Sequence, residues 1–331
     1  MDGPGRVSSI FPVGWLRGGS KEAWWVTIPY PPSPFVLFGL CAFRAVLPST
    51  GGAARTVTPM TGPLPGAALI VDPSDPRISI FLGLRDHEIR QEREKPGGDA
   101  HGSFIAEGDL VIERAVRHGY ALRSVLVAAT RTKPLPAACE GADIFAADDD
   151  VLTEITGRPE LRDPIARFDR PAPLDPAQLL QEHSRFAVLE NVNNPNNMGV
   201  IMRNAAALGV DAVLLDPMCS DPLYRRAIRS AMGQVFAIPH ARIGPLHESL
   251  ELLHQHAIKT IALTPSGDFE LSDIELAPGE KAAVLLGAEG PGLTESAMAA
   301  SNIRAKIEMS KDIDSLNVAN AAAIAFYEIQ R

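Results

Sequence analysis

Residues 190–209 read Glu-Asn-Val-Asn-Asn-Pro-Asn-Asn-Met-Gly-Val-Ile-Met-Arg-Asn-Ala-Ala-Ala-Leu-Gly, and they lie between two apolar runs, 186–189 and 212–215. A short apolar run bounded by turn residues reads as a buried strand. The Asn/Pro cluster at 191–197 reads as a loop, with Asn196 or Asn197 placed to cap a helix. Residues 199–208 are rich in Ala and Met and end at Gly209, a helix stop. Strand, loop, helix and strand in that order form the βαβ unit of a parallel sheet. Arg203 stands apart from this reading. It falls six residues after Asn197 in an otherwise apolar helix, and spacing alone leaves open a surface arginine on a packing helix or a functional one.

The chain has 331 residues, 46% of them hydrophobic, enough for about two domains. No apolar run approaches the length of a membrane span. Cys41, Cys139 and Cys219 are too few and too scattered for a disulfide framework or a metal site, which points to a reducing cytoplasm and no metal. The net charge of -9 argues against a nonspecific nucleic-acid binder but leaves room for a local basic patch.

Residues 1–65 are rich in Gly, Pro, Ser and Trp and hold no sustained period; they are expected to be disordered or not native to the protein, with Met60 an alternative start. Residues 66–170 alternate short strands and helices, as a compact α/β/α sandwich does. Strands are expected at 104–106, 124–128, 143–146 and 165–168, and helices at 81–90, 109–118, 133–140 and 149–156. Residues 171–180, opening Pro-Ala-Pro-Leu-Asp-Pro, read as a linker. In residues 181–331, strands are expected at 186–189, 212–215, 260–263, 282–286 and 305–308, with helices at 197–208, 223–232, 245–256, 294–300 and 317–329.

Three stretches in this second part are Gly- or Asn-rich turns closing apolar strands. The first is Asn194-Pro195-Asn196-Asn197-Met198-Gly199 with Arg203. The second is Gly287-Ala288-Glu289-Gly290-Pro291-Gly292. The third is Ile307-Glu308-Met309 followed by Ser315-Leu316-Asn317-Val318 and an Ala-rich helix. Ligands of open parallel sheets bind at the carboxyl ends of the strands. Taken singly, the glycine turn matches no dinucleotide or phosphate loop, and Ser315 and Asn317 are simply helix caps. Together and in this order, the three resemble the motifs of the SpoU, or TrmH, family of RNA 2′-O-ribose methyltransferases over about residues 186–329. Residues 71–170 resemble the ribosomal-protein-like substrate-binding domain that precedes the catalytic domain in many members.

The resemblance implies an α/β trefoil-knot domain that binds S-adenosyl-L-methionine, preceded by the small α/β/α domain. It implies cofactor contacts at Thr264, Leu286, Gly287, Ile307, Met309, Ser315, Leu316 and Asn317. Arg203 matches the arginine that activates the ribose hydroxyl, as base or as charge stabiliser. Asn197 matches the asparagine that positions the loop, and Glu289 the second-motif glutamate. Glu308 stands where the family usually has proline, and Ala288 where asparagine is common. Arg225, Arg226 and Arg229 lie in the most basic stretch of the second part and are expected to contact RNA phosphate. The implied partners are rRNA or tRNA and a second copy of the chain, docked through the C-terminal helix by Ala322, Ile324, Ala325 and Phe326. A non-catalytic RNA-binding protein that keeps the fold is the alternative.

Overall fold

In a computed structural model, the protein is described at Leu64 and at residues 66–84, 102–157, 161–311 and 315–330. These all fall in one compact unit, Arg55–Arg331. The expected extension, residues 1–65, lies outside the described residues except Leu64, which is already buried in the core. Most of the charged helix expected at 81–90 also lies outside them; what is described begins with a 3-10 turn, Pro76–Phe81.

The first sheet orders its five strands β1-β4-β3-β5-β2. They are β1 (Ala68–Ile70), β2 (Ser103–Glu107), β3 (Leu122–Ala128), β4 (Asp143–Ala147) and β5 (Ile165–Asp169). β1, β4 and β3 run parallel, whereas β5 and β2 join antiparallel. Alternation along β3 feeds two cores. Leu126 and Ala128 face helix α2 (Asp149–Thr156) and the 3-10 turn, while Val125 and Val127 face the other way, toward helix α1 (Asp109–Arg117). This is the expected sandwich. The helix expected at 133–140 is reduced to a 3-10 turn, Ala137–Cys139.

The expected linker is shorter than 171–180. Pro176 opens helix α3 (Pro176–Glu182), because Asp175 accepts from the Ala177 N–H and proline suits the first helical turn. The second sheet is wholly parallel and ordered β10-β12-β9-β11-β6-β7-β8. Its strands are β6 (Arg185–Leu189), β7 (Ala212–Leu215), β8 (His240–Arg242), β9 (Ile258–Leu263), β10 (Phe269–Glu270), β11 (Lys281–Leu286) and β12 (Ile303–Lys306). The edge strands β8 and β10 are absent from the sequence reading.

Both faces of this sheet are covered, as an all-parallel sheet requires. One face packs on α3, α6 (Leu246–Gln255) and α7 (Glu295–Ala300). The other packs on α4 (Pro195–Ala207), α5 (Arg225–Ser230) and α8 (Val318–Glu328). The core on that second face runs on without a break into the first sheet, where Phe236 meets the rings of Phe104 and Tyr120. α8 departs from expectation. Ala322, Ala325 and Phe326 are fully buried in the chain's own core, so they are not a docking face; of the four expected residues Ile324 alone is exposed, with Tyr327 near it.

Candidate active site

The site forms where the loops after β6, β9, β11 and β12 converge at the carboxyl end of the sheet. The loop after β6 starts α4. Its cap is Asn194, not Asn196 or Asn197: the Asn194 side chain accepts from the Asn196 N–H, and Pro195 takes the first helical position. Asn197 is thereby released from capping and points inward, 8% exposed. Its amide reaches both other motifs. The Asn197 Nδ2 donates to Glu289 Oε2 at 2.8 Å, and its Oδ1 accepts from Asn317 Nδ2 at 3.2 Å. Asn317 in turn caps α8, its Oδ1 accepting from the Ala319 N–H at 2.9 Å. Three residues that the sequence spaces over 120 positions are thus joined by two side-chain hydrogen bonds.

The glycine loop after β11 is held closed on itself. Ala288 and Gly292 exchange backbone hydrogen bonds of 3.2 and 3.0 Å. A Cβ on Gly287 would collide with the Gly292 and Leu293 backbones, so only glycine allows this approach. Glu190 fixes the far end. It is buried, its two carboxylate oxygens accepting from the Thr294 N–H at 2.8 Å and the Thr294 hydroxyl at 2.9 Å. The sequence reading quoted Glu190 without giving it a role. A carboxylate directly after the apolar run 186–189 was the available signal, since such a group needs a donor.

Of the expected cofactor residues, Leu286 and Gly287 are buried at the end of β11, and Thr264 follows β9, its N–H bonded to the Ala305 carbonyl at 2.8 Å. Ile307 and Met309 are half-buried, while Ser315, Leu316 and Asn317 are exposed; Leu316 is 40% accessible. Exposed or half-covered apolar side chains beside hydroxyl, amide and backbone groups match an adenosine, whose ring needs apolar walls and whose edges need hydrogen bonds. The donor set therefore fits S-adenosyl-L-methionine. Among the described residues no group of three His, Cys, Asp or Glu is placed to hold a metal ion.

Arg203 is not joined to this cluster within the chain. Six residues beyond Asn197, it lies about 9 Å further along α4 and on another face. It is exposed and has no hydrogen bond or ion pair among the described residues. Arg225 was expected at RNA, but its guanidinium is committed elsewhere. It donates to Glu107 of β2 at 2.5 Å and to the Leu84 carbonyl at 2.7 Å, and its side chain is 11% exposed. Arg226 and Arg229 are both exposed. A cavity of about 720 Å³ opens elsewhere, between the linker and the ends of β7 and β8, lined by Tyr120, Arg170, Leu174, Phe236 and His240; none of the motif residues lines it.

With this geometry in place, comparison with known proteins is decisive about class. The sequence model of the SpoU rRNA methylase family matches residues 184–327. An uncharacterised tRNA/rRNA methyltransferase of Mycobacterium tuberculosis is 39% identical over 266 residues, covering 79% of this chain and 91% of the relative. The 23S rRNA (guanosine(2553)-2′-O)-methyltransferase of Bacillus subtilis is 27% identical over 231 residues, 69% of this chain and 88% of that one. The crystal structure of an AdoMet-bound rRNA methyltransferase from Sinorhizobium meliloti superposes with a TM-score of 0.66, at 24% identity, over 81% of this chain and 98% of that chain. The fold is therefore that of an RNA methyltransferase. The chain belongs to the SpoU rRNA methylase family.

Proposed function

We propose that the protein transfers a methyl group from S-adenosyl-L-methionine to a ribose 2′-hydroxyl of rRNA or tRNA. The observation that carries this reading is the Glu289–Asn197–Asn317 hydrogen-bonded chain, which ties the three motif loops together at the carboxyl end of the second sheet. The Bacillus subtilis relative, a 2′-O-methyltransferase by name, supports the choice of oxygen.

Bound at Thr264, Leu286, Gly287, Ile307, Met309 and residues 315–317, S-adenosyl-L-methionine supplies an electrophilic methyl group. The residues of the chain then do the rest. Asn197 and Glu289 hold the loops rigid, so little reorganisation accompanies reaction. Arg203 stabilises the negative charge that builds on the ribose oxygen. A guanidinium is nearly always protonated and serves better as a charge partner than as a base. The proton leaves to a phosphate or water, or to Arg203 itself if desolvation strips it first.

Because Arg203 is exposed and apart from the Asn197 cluster, we read the working enzyme as a homodimer in which a second copy completes the site. Leu316, Ile324 and Tyr327, all exposed on and before α8, provide the apolar face. The knot that the family resemblance implies would be formed by the loops after the last strands, including Gly287 and residues 315–317. We place the enzyme in the cytoplasm with its RNA; no helix among the described residues is long and apolar enough to cross a membrane.

The test is a map of 2′-O-methyl positions across total RNA with and without the gene. A position lost on deletion, restored by the wild-type gene and not by Arg203→Ala, is the expected result. No lost position in any rRNA or tRNA would overturn the assignment, and failure to bind S-adenosyl-L-methionine in a titration would favour a non-catalytic RNA-binding protein.

A further inference from the structure

Several arginines of this acidic chain are answered by carboxylates. Arg123 pairs with Asp169, Arg131 with Asp109, Arg170 with Asp221, Arg225 with Glu107 and Arg304 with Asp268. Arg114, Arg117 and Arg203 have no ion pair among the described residues, as is also true of Arg167, Arg185, Arg226, Arg229 and Arg242; what sets the three apart is that the fold brings them together across the junction of the two sheets.

Three contacts build this convergence. Gly199 of α4 lies against α5, where an added Cβ would strike the Ala227 carbonyl and come within 2.7 Å of Ser230 Cβ. Arg203 follows Gly199 by four residues on the same face of α4, and its charge is felt at the Arg114 guanidinium. The carboxyl end of α5 carries the turn Met232-Gly233. From the other side, α1 packs on the same turn: a Cβ on Gly233 would sit 3.3 Å from Val111 and 3.4 Å from Arg114 Cδ. Arg114 donates to the Met232 carbonyl, which anchors its guanidinium there. Arg117 follows one helical turn later on α1 and is exposed.

We propose that Arg114 and Arg117, with Arg203, form a cradle for the phosphodiester backbone of the RNA, bridging the two sheets and delivering the strand to Arg203. This rests on the methyltransferase reading above and names the residues of the first sheet that take part. Electrostatics agrees with the geometry. Partial burial, then the charges of Arg203 and Arg117, push the Arg114 guanidinium's pKa down. Like charges gathered together focus the field on a polyanion, and guanidinium forks match phosphate oxygens in pairs. Arg123, which the sequence would group with these two, is excluded by its pairing to Asp169.

The test measures binding of bulk rRNA from the deletion strain to the full chain by filter retention, over a range of KCl concentrations. Each neutralised phosphate contact adds about 0.7–0.9 to the steepness of the fall of log K with log salt. Arg117→Gln is expected to lower it by about one contact's worth, and the Arg114→Gln/Arg117→Gln double variant by about two. Arg114→Lys, which keeps the charge, should hold most of the slope. Melting temperature and S-adenosyl-L-methionine affinity of Arg117→Gln should match wild type; Arg114 also anchors a turn, so Arg117→Gln decides the matter if Arg114→Gln unfolds. An unchanged slope in Arg117→Gln, or in the folded double variant, would overturn the cradle. The two readings fail separately. A wild type that transfers no methyl to RNA, yet loses slope in the variants, sinks the chemistry and keeps the cradle. A wild type that methylates, with variants of unchanged slope, does the reverse.

Discussion

Asn197 uses both ends of its amide, donating to Glu289 and accepting from Asn317. Alanine removes both hydrogen bonds; Glu289 and Asn317 are exposed and can turn to water, so the loss is about 0.5–1.5 kcal/mol per bond. Calorimetric titration of Asn197→Ala with S-adenosyl-L-methionine is expected to show affinity weakened by at least about tenfold. Asn197→Asp should be worse, because it sets a second carboxylate against Glu289; equal affinities for the two variants would count against the arrangement. The cysteines give a second residue-level expectation. Burial pushes the Cys219 thiol up to about 12 and the Cys139 thiol up to about 11. Cys219 remains a thiol, donating to the Leu189 carbonyl and accepting from the Val192 N–H. Only the thiolate alkylates readily. Iodoacetamide at pH 8.5 should therefore leave both residues unlabelled in the folded protein and label both in urea, as read by peptide mass spectrometry. These raised pKa values also carry a sign for stability. Their contribution is intact below the ordinary thiol pKa and is lost as pH climbs toward 11 and 12, so the melting temperature should fall over that range.

The close approach of α4 to α5 depends on Gly199. Gly199→Ala forces the helices apart and is expected to destabilise by about 1–3 kcal/mol, measurable by thermal unfolding. Most elements around the site were legible in the sequence for local reasons. The apolar runs that became β6, β7, β9 and β11 are short and bounded by turns, and the Ala-rich stretch that became α8 is long and uninterrupted. What escaped was set by competition or by length. Three asparagines competed to cap α4, and Pro195 settled it for Asn194 by fitting only the first turn. β8 and β10 have three and two residues, too few for any period to show. The inward face of α8 was misjudged because an apolar helix does not say from sequence which neighbour its stripe will meet.

The junction of the two sheets was invisible in the sequence for a related reason. Glu107 and Arg225 are 118 positions apart, as are Arg114 and Met232, and nothing local marks them as partners. The sequence reading assigned Arg225 to RNA from its basic neighbourhood, which was sound for composition and silent on burial. With side chains 11% and 9% exposed, the Arg225–Glu107 pair is buried enough that removing one partner strands the other. Arg225→Met is expected to cost about 3–5 kcal/mol, and Arg225→Met with Glu107→Leu distinctly less. Urea unfolding of the two single variants and the double would show this as a coupling energy; simple additivity would mean the pair does not hold the sheets.

The second sheet ends in β10 on one side and β8 on the other, two and three residues long. An exposed edge recruits foreign strands in proportion to the ladder it can offer. Here a passing chain would find only two or three residues to pair with, and then loop. Seven parallel strands are thus enclosed in a sheet that cannot be extended by strand addition, which guards a slow-folding parallel core against aggregation through its rims. It also constrains assembly: a second copy must be met by helices and side chains, never by a sheet running continuously from one subunit into the next.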